Sequence, residues 1–219
     1  MLAALYLPKL NNLRPSLQST LWKAVEEAGE LSRAVLQFLP YEKLAAAEIG
    51  RHSEAAELLS HVTEELLDVA QTCVTMIFVM EDDHNVKPDE LIGDHLAKLT
   101  QKGYGYDSSR LYTIETTGNF KYLQLPRLAI EGVTLLTTVC KIQEELGELT
   151  QYLGKEAGAS GEAARSSEAA VMRGCAEELL DVAQCCFTMM YILAERYAVD
   201  TDRLLACHVE KLRRKGYCA

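Results

Sequence analysis

The chain of 219 residues has no Cys-x-x-Cys. Its seven cysteines (Cys73, Cys140, Cys175, Cys185, Cys186, Cys207 and Cys218) are odd in number, and several sit among apolar residues at helix-like spacing. The ligand spacing of a zinc site is therefore missing, and the thiols read as reduced, mostly core groups of a cytoplasmic protein. Positive charge is not in excess either: 22 Lys+Arg stand against 32 Asp+Glu, a formal net charge of −10. That balance argues against a general nucleic-acid or anionic-membrane surface. It leaves room for a nucleotide, because a bound divalent cation reverses the local field. A long apolar run is also lacking. The most apolar stretch, Leu66 to Met80, contains Asp68, Gln71, Thr72 and Thr75, and is too short and too polar to span a bilayer. The opening MLAALYLPKL is too short for a secretory signal, and no cleavage pattern follows it. Nothing reads as a convincing sheet. With 48% apolar and 25% charged residues, the chain has the makings of an ordinary core in one or two domains.

What the chain does contain is itself, twice. LYLPKL at Leu5–Leu10 matches LQLPRL at Leu123–Leu128, and EEAGEL at Glu26–Leu31 matches EELGEL at Glu144–Leu149, both offset by 118 (123 − 5, 144 − 26). EELLDVAQ at Glu64–Gln71 recurs unchanged at Glu177–Gln184, and HLAKLTQKGY at His95–Tyr104 matches HVEKLRRKGY at His208–Tyr217, both offset by 113 (177 − 64, 208 − 95). Four blocks in one order indicate a duplication.

Apolar spacing predicts the elements. Leu17, Leu21, Val25, Ala28, Leu31 and Val35 form the stripe of a core-facing helix, and so do Leu135, Val139, Ile142, Leu146, Leu149 and Leu153. A second long helix follows in each copy, over Leu59–Met80 and Met172–Leu193. A shorter third begins near Asp89 and Asp202 and runs into Lys-Gly-Tyr, where Gly103 and Gly216 are natural stops. Residues 1–106 and 119–219 are then two repeats and 107–118 a linker; Lys155–Ala170, rich in Gly, Ala and Ser, reads as a surface loop or lid. One three-helix copy alone would expose too many apolar faces, so the expectation is an all-α bundle of both copies with pseudo-twofold symmetry.

The chemistry lies in acidic pairs. The first long helix carries Glu27 and Glu30 and the second Glu65 and Asp68; the other copy has Glu145, Glu148, Glu178 and Asp181. Residues three apart on a helix share a face. A lone E-x-x-E is usually a solvated face. Here both pairs stand in order on consecutive helices, twice, while the loops between them differ. Four convergent carboxylates repel one another unless a cation sits among them. Oxygen donors without histidine or cysteine favour Mg²⁺ or Mn²⁺. A metal-bound water with a neighbouring carboxylate as base can attack phosphorus, and Glu26, Glu64, Glu144 and Glu177 are candidates for that base or for holding a second metal.

E-x-x-E on one helix followed by E-x-x-D on the next, within EExGEL and EELLDV, resembles the MazG-like nucleoside triphosphate pyrophosphohydrolases. The resemblance covers about Leu5–Tyr104 and Leu123–Tyr217. It implies the reaction (d)NTP + H₂O → (d)NMP + PPi, with Mg²⁺ on the eight acids just named and nucleotide-pool housecleaning as the role. A tandem chain would stand in for the dimer of single-copy relatives, and a homodimer of it would bring together four MazG-like units. Where many members carry an Asn and an Arg, this chain has H-x-x-K-L-x-x-K-G-Y. Candidate triphosphate contacts are Lys23, Lys98, Lys102, Lys141, Lys211 and Lys215, with Tyr104 and Tyr217 under a base or closing the bundle. Trp22, replaced by Cys140 in the second copy, either lines a base pocket or packs on the helix flank. His95 and His208 read as capping or core-edge groups. A ferritin-like di-iron bundle would need E-x-x-H pairs, which are missing at these positions. The remaining alternative is a helical protein that binds a nucleotide, or acts as a regulatory module, without turnover.

Overall fold

In the computed structural model, which describes residues 4–156 and 167–219, the long helices form where the apolar stripes place them. β1 (Leu5–Pro8) leads into α1 (Leu17–Phe38), followed by a 3-10 turn (Leu39–Tyr41) and the single turn α2 (Ala46–Ile49). Then come α3 (Ser53–His84), α4 (Pro88–Gln101), β2 (Thr113–Thr117), β3 (Phe120–Gln124), α5 (Leu135–Glu156), α6 (Glu168–Tyr197) and α7 (Thr201–Arg214).

Local chemistry fixes the ends. The Ser16 hydroxyl accepts from the Ser19 N–H to start α1, Ser167 accepts from Ala170 to start α6, and Asp200 accepts from Arg203 to start α7. Both α3 and α6 stop on a left-handed residue, Asn85 (φ 53) and Ala198 (φ 54). The next residue's N–H then reaches back, Val86 to the Met80 carbonyl and Val199 to the Leu193 carbonyl, each at 3.1 Å. Gly103 and Gly216 sit past α4 and α7 at φ 81 and 72, and the following Tyr104 and Tyr217 N–H groups bond the Leu99 and Leu212 carbonyls.

The four long helices make the core. α1 packs on α3 and α5 on α6; α3 packs on α6 and α1 on α5. α3 is buried at every position from Val69 to Met80, and α6 nearly so from Glu178 to Tyr191, which makes these two the central pair. Among the described residues, no helix is long and apolar enough to cross a membrane. Cys73, Cys175, Cys186 and Cys218 are buried free thiols, Cys185 is half-buried, and Cys140 and Cys207 are exposed.

The fold departs from an all-α expectation in one place. β1, β3 and β2 form a three-stranded antiparallel sheet in that order. The segment 107–118 thus contains β2 and half of a hairpin. Thr117 pairs with Phe120 across Gly118-Asn119, and Gly118 supplies the positive φ (60) that so tight a reversal needs. β1 is the first L-x-L-P segment, β3 ends in the first two residues of the second, and Leu5 lies opposite Leu123. The sheet is tied to the central helices. Gln71 donates to the Pro8 carbonyl and Gln184 to the Pro126 carbonyl, both at 2.9 Å, and the wholly buried Lys121 reaches Glu81 and Thr116. The expected loop Lys155–Ala170 is entered at each end by a helix, to Glu156 and from Glu168; residues 157–166 lie outside the described residues.

Candidate metal centres and the cavities beside them

Two groups of carboxylates converge. Oxygens of Glu27, Glu30 and Glu65 lie within 4.8 Å of one another between α1 and α3, and those of Glu145, Glu178 and Asp181 do so between α5 and α6. Seven of the eight acids stand close to these two centres in one of two ways. Six form the two groups, and Asp68 meets Lys211 at 2.6 Å beside the first. Glu148 is exposed and stays outside the tight second group.

Burial is what makes the sites electrostatically tense. Glu27, Glu65, Glu145, Glu178 and Asp181 are all buried. Desolvation raises the Glu27 carboxyl above its ordinary range against the pull of Lys23, and raises Glu65 with Glu30 adding to it. Desolvation, only partly opposed by Lys98, pushes Glu178 up to about 7. Its Oε2 atom is buried with no hydrogen-bond partner. Asp181 goes the other way: burial would raise it, but bonds from His95 and Lys98 outweigh that and hold it low. Oxygen-only donors, mutual repulsion and an unpartnered buried oxygen are the setting that a hard divalent cation relieves, so the residues fit Mg²⁺ or Mn²⁺.

Each group is attended by lysines. Lys23 meets Glu27 at 2.6 Å and Lys141 meets Glu145 at 2.6 Å, each one turn before its acid. The other pair comes from across the molecule. Lys98 on α4 meets Asp181 at 2.5 Å, whereas Lys211 on α7 meets Asp68. The third helix of each sequence half therefore completes the acid group of the other half.

The same helices bring histidines that sequence reasoning left as capping groups. His95 Nδ1 lies 3.1 Å from Asp181, and its Nε2 faces Gln184 Oε1 at 3.5 Å. His208 Nδ1 lies 3.7 Å from Asp68, and its Nε2 is buried without a partner. Desolvation depresses His208 to about 4, so it is neutral at pH 7. Gln71 and Gln184 close the EELLDVAQ blocks. The signal that could have found both residue types was present: the His and the Gln recur in both copies, each inside a block that also carries a charged site residue.

A cavity opens beside each group. One of about 500 Å³ is lined by Lys23, Glu27, Asp68, Gln71, Lys215 and Tyr217, and one of about 310 Å³ by Lys102, Tyr104, Lys141, Glu145, Asp181 and Gln184. Volumes of this order suit a small organic ligand. Lys102 and Tyr104 thus line the cavity of the second acid group, and Lys215 and Tyr217 that of the first. Trp22 is 64% exposed on α1 and lines neither. Glu26 and Glu144 face outward onto the lysines that hold Glu27 and Glu145; Glu64 meets Ser60, and Glu177 meets Arg173. None of these four joins a converging group. Comparison with protein-family models, with curated proteins and with solved structures finds no match to this chain.

Proposed function

We propose that the chain is a Mg²⁺-dependent nucleoside triphosphate pyrophosphohydrolase, of the MazG-like kind that its EExGEL and EELLDV segments resemble. The observation that carries this reading is the coincidence, twice, of converging carboxylates with a ligand-sized cavity flanked by lysines. Glu27, Glu30 and Glu65, with Asp68 beside them, would hold metal at one site; Glu145, Glu178 and Asp181 would hold it at the other. The cation, when bound, supplies charge neutralisation for phosphate oxygens and an acidified water. Lys23, Lys98, Lys102, Lys141, Lys211 and Lys215 bind and orient the triphosphate. Deprotonation of the attacking water falls to a carboxylate of the acid group. Attack on the α-phosphorus forms one P–O bond and breaks the bond to the departing pyrophosphate.

The tandem duplication, the pseudo-twofold relation and the nucleotide-pool role belong to the same reading. The repeated blocks support the duplication, and the pairing of Leu5 with Leu123 supports an axis through that point. A cytoplasmic location and a homodimer of four MazG-like units belong to the proposal as well.

A second reading has one observation in its favour. Lys98 and Lys211 already touch the acids as a bound cation would, as in a protein that binds nucleotide without turning it over. One assay separates the two. Purified protein with Mg²⁺ is given each dNTP and NTP, and pyrophosphate and orthophosphate are measured separately. Metal-dependent pyrophosphate release that disappears in Glu65→Gln/Glu178→Gln, with helical circular dichroism intact, supports the hydrolase. Near wild-type turnover in that folded double variant overturns it. Thermal stabilisation by nucleotide and Mg²⁺ with no turnover supports the binding protein.

A further inference from the structure

The two cavities are matched along most of their walls and differ at one seam. Thr20, Lys23, Gln71 and Thr75 line the first, and Thr138, Lys141, Gln184 and Thr188, their partners at the two sequence offsets, line the second. A neighbouring cavity shares wall residues with each, an outer compartment of about 240 Å³ at the first and about 430 Å³ at the second. The residues shared by inner and outer compartments form the seam. Leu10, Leu13, Arg14, Pro15 and Thr75 do so in the first, and Leu128, Ile130, Glu131, Val133 and Thr188 in the second; Arg14 and Glu131, both exposed, are the charged members. At the offset of 118, Leu13 corresponds to Glu131 (131 − 13) and Arg14 to Gly132 (132 − 14). One seam therefore presents a guanidinium, which only donates hydrogen bonds. The other presents a carboxylate, which only accepts them when ionised. Neither Arg14 nor Glu131 has an ion-pair partner among the described residues.

This difference rests on the hydrolase reading for its meaning. With the phosphates at the acids and lysines, the far end of a nucleotide, its base, reaches toward the seam. We propose that the two cavities select opposite base edges. The second, at Glu131, takes a base with an exocyclic amine, cytosine or adenine. The first, at Arg14, takes a base with an oxo group in that place, uracil, thymine, hypoxanthine or guanine. An amine donates to the Glu131 carboxylate; an oxo group there sets two acceptors against each other. At Arg14 the ranking inverts, because a guanidinium meets an oxo group and repels an amine's hydrogens.

The test uses full-length protein with one site disabled, Glu65→Gln leaving the second site and Glu178→Gln the first. The substrates are pairs that differ at this edge, dCTP against dUTP and dATP against dITP. The second site alone is expected to favour the amine member by about tenfold in kcat/KM. Glu131→Leu should bring that ratio to within about twofold, and Glu131→Gln should lower it partway. The first site alone should favour the oxo member, and Arg14→Gly should level it. Calorimetric binding of dCMP and dUMP with Mg²⁺ repeats the ranking without turnover. Binding that ranks as proposed in a protein that hydrolyses nothing sinks the hydrolase and upholds the base-edge assignment. Equal ranking at both sites, or a ranking that survives Glu131→Leu and Arg14→Gly, overturns the assignment.

Discussion

The two acid groups are spelled alike and built differently. In the first, Glu30 is half-exposed and Glu65 has His61 beside it, with Nε2 2.9 Å away. In the second, all three converging acids are buried, and the position of His61 is taken by Gly174 (61 + 113). A Cβ added at Gly174 would lie 2.5 Å from the Tyr152 ring. Tyr152 in turn holds the place of Ala34 (34 + 118). One ring has been moved from the second helix of the pair to the first, imidazole with alanine on one side, phenol with glycine on the other. The lesson is that a repeated acid motif fixes the donor set, whereas its neighbours set how deeply those donors are buried and whether each has a partner. Glu178, with no imidazole beside it, is the carboxylate pushed furthest up.

The largest test of this comparison concerns which helix serves which group. With only the second site live (Glu65→Gln), Lys98→Met should cut turnover by about a hundredfold, the scale of losing one charged stabiliser of the reacting phosphate. With only the first live (Glu178→Gln), the same change should leave kcat/KM within about twofold, and Lys211→Met should show the reverse. Loss from the wrong partner would mean that each half completes its own site.

A smaller effect is expected at the displaced ring. Gly174→Ala gains helix propensity but overlaps the Tyr152 ring, for a net loss of about 1 kcal/mol, or a fall of about 2–4 °C in melting temperature. Adding Tyr152→Ala should recover most of that loss. A Gly174→Ala protein as stable as the parent would show that the ring swings aside freely.

The smallest effect is in pH dependence. The folded Glu178 carboxyl, near 7, binds its proton more tightly than in the unfolded chain, where it is near 4.5. Its contribution is therefore fully present below pH 4.5 and is lost as pH rises to about 7. Urea melts in chelator at pH 5 and 7.5 should show a drop that Glu178→Gln reduces and that Mg²⁺ offsets. A drop unchanged in Glu178→Gln would place the tension on other groups.

The helices were legible because a core-facing helix writes its apolar residues three and four apart, as in Leu17 to Val35. The acid groups were legible because the same spacing puts Glu27 beside Glu30. The sheet was not, since β1 is four residues long and reads only as a repeated L-x-L-P. Thr117-Gly118-Asn119-Phe120 did carry a hairpin signal, and it was absorbed into a polar linker. The crossing of α4 and α7 leaves no trace in either copy alone, because the block H-x-x-K-L-x-x-K-G-Y is the same whichever acids it meets. The histidines were undervalued for a related reason: burial beside Asp181 and Asp68 is a property of packing between helices far apart in sequence.

The crossed supply of lysine and histidine also bears on how damage to this chain combines. Lesions at Glu65 and Lys211 strike one site and should mask each other, while lesions at Glu65 and Lys98 strike both and should compound. Epistasis in this protein is thus expected to run across the midpoint of the chain rather than within each half. On the hydrolase proposal, neither half could then relax its own sequence after losing its own acids, since its last helix would still serve the other.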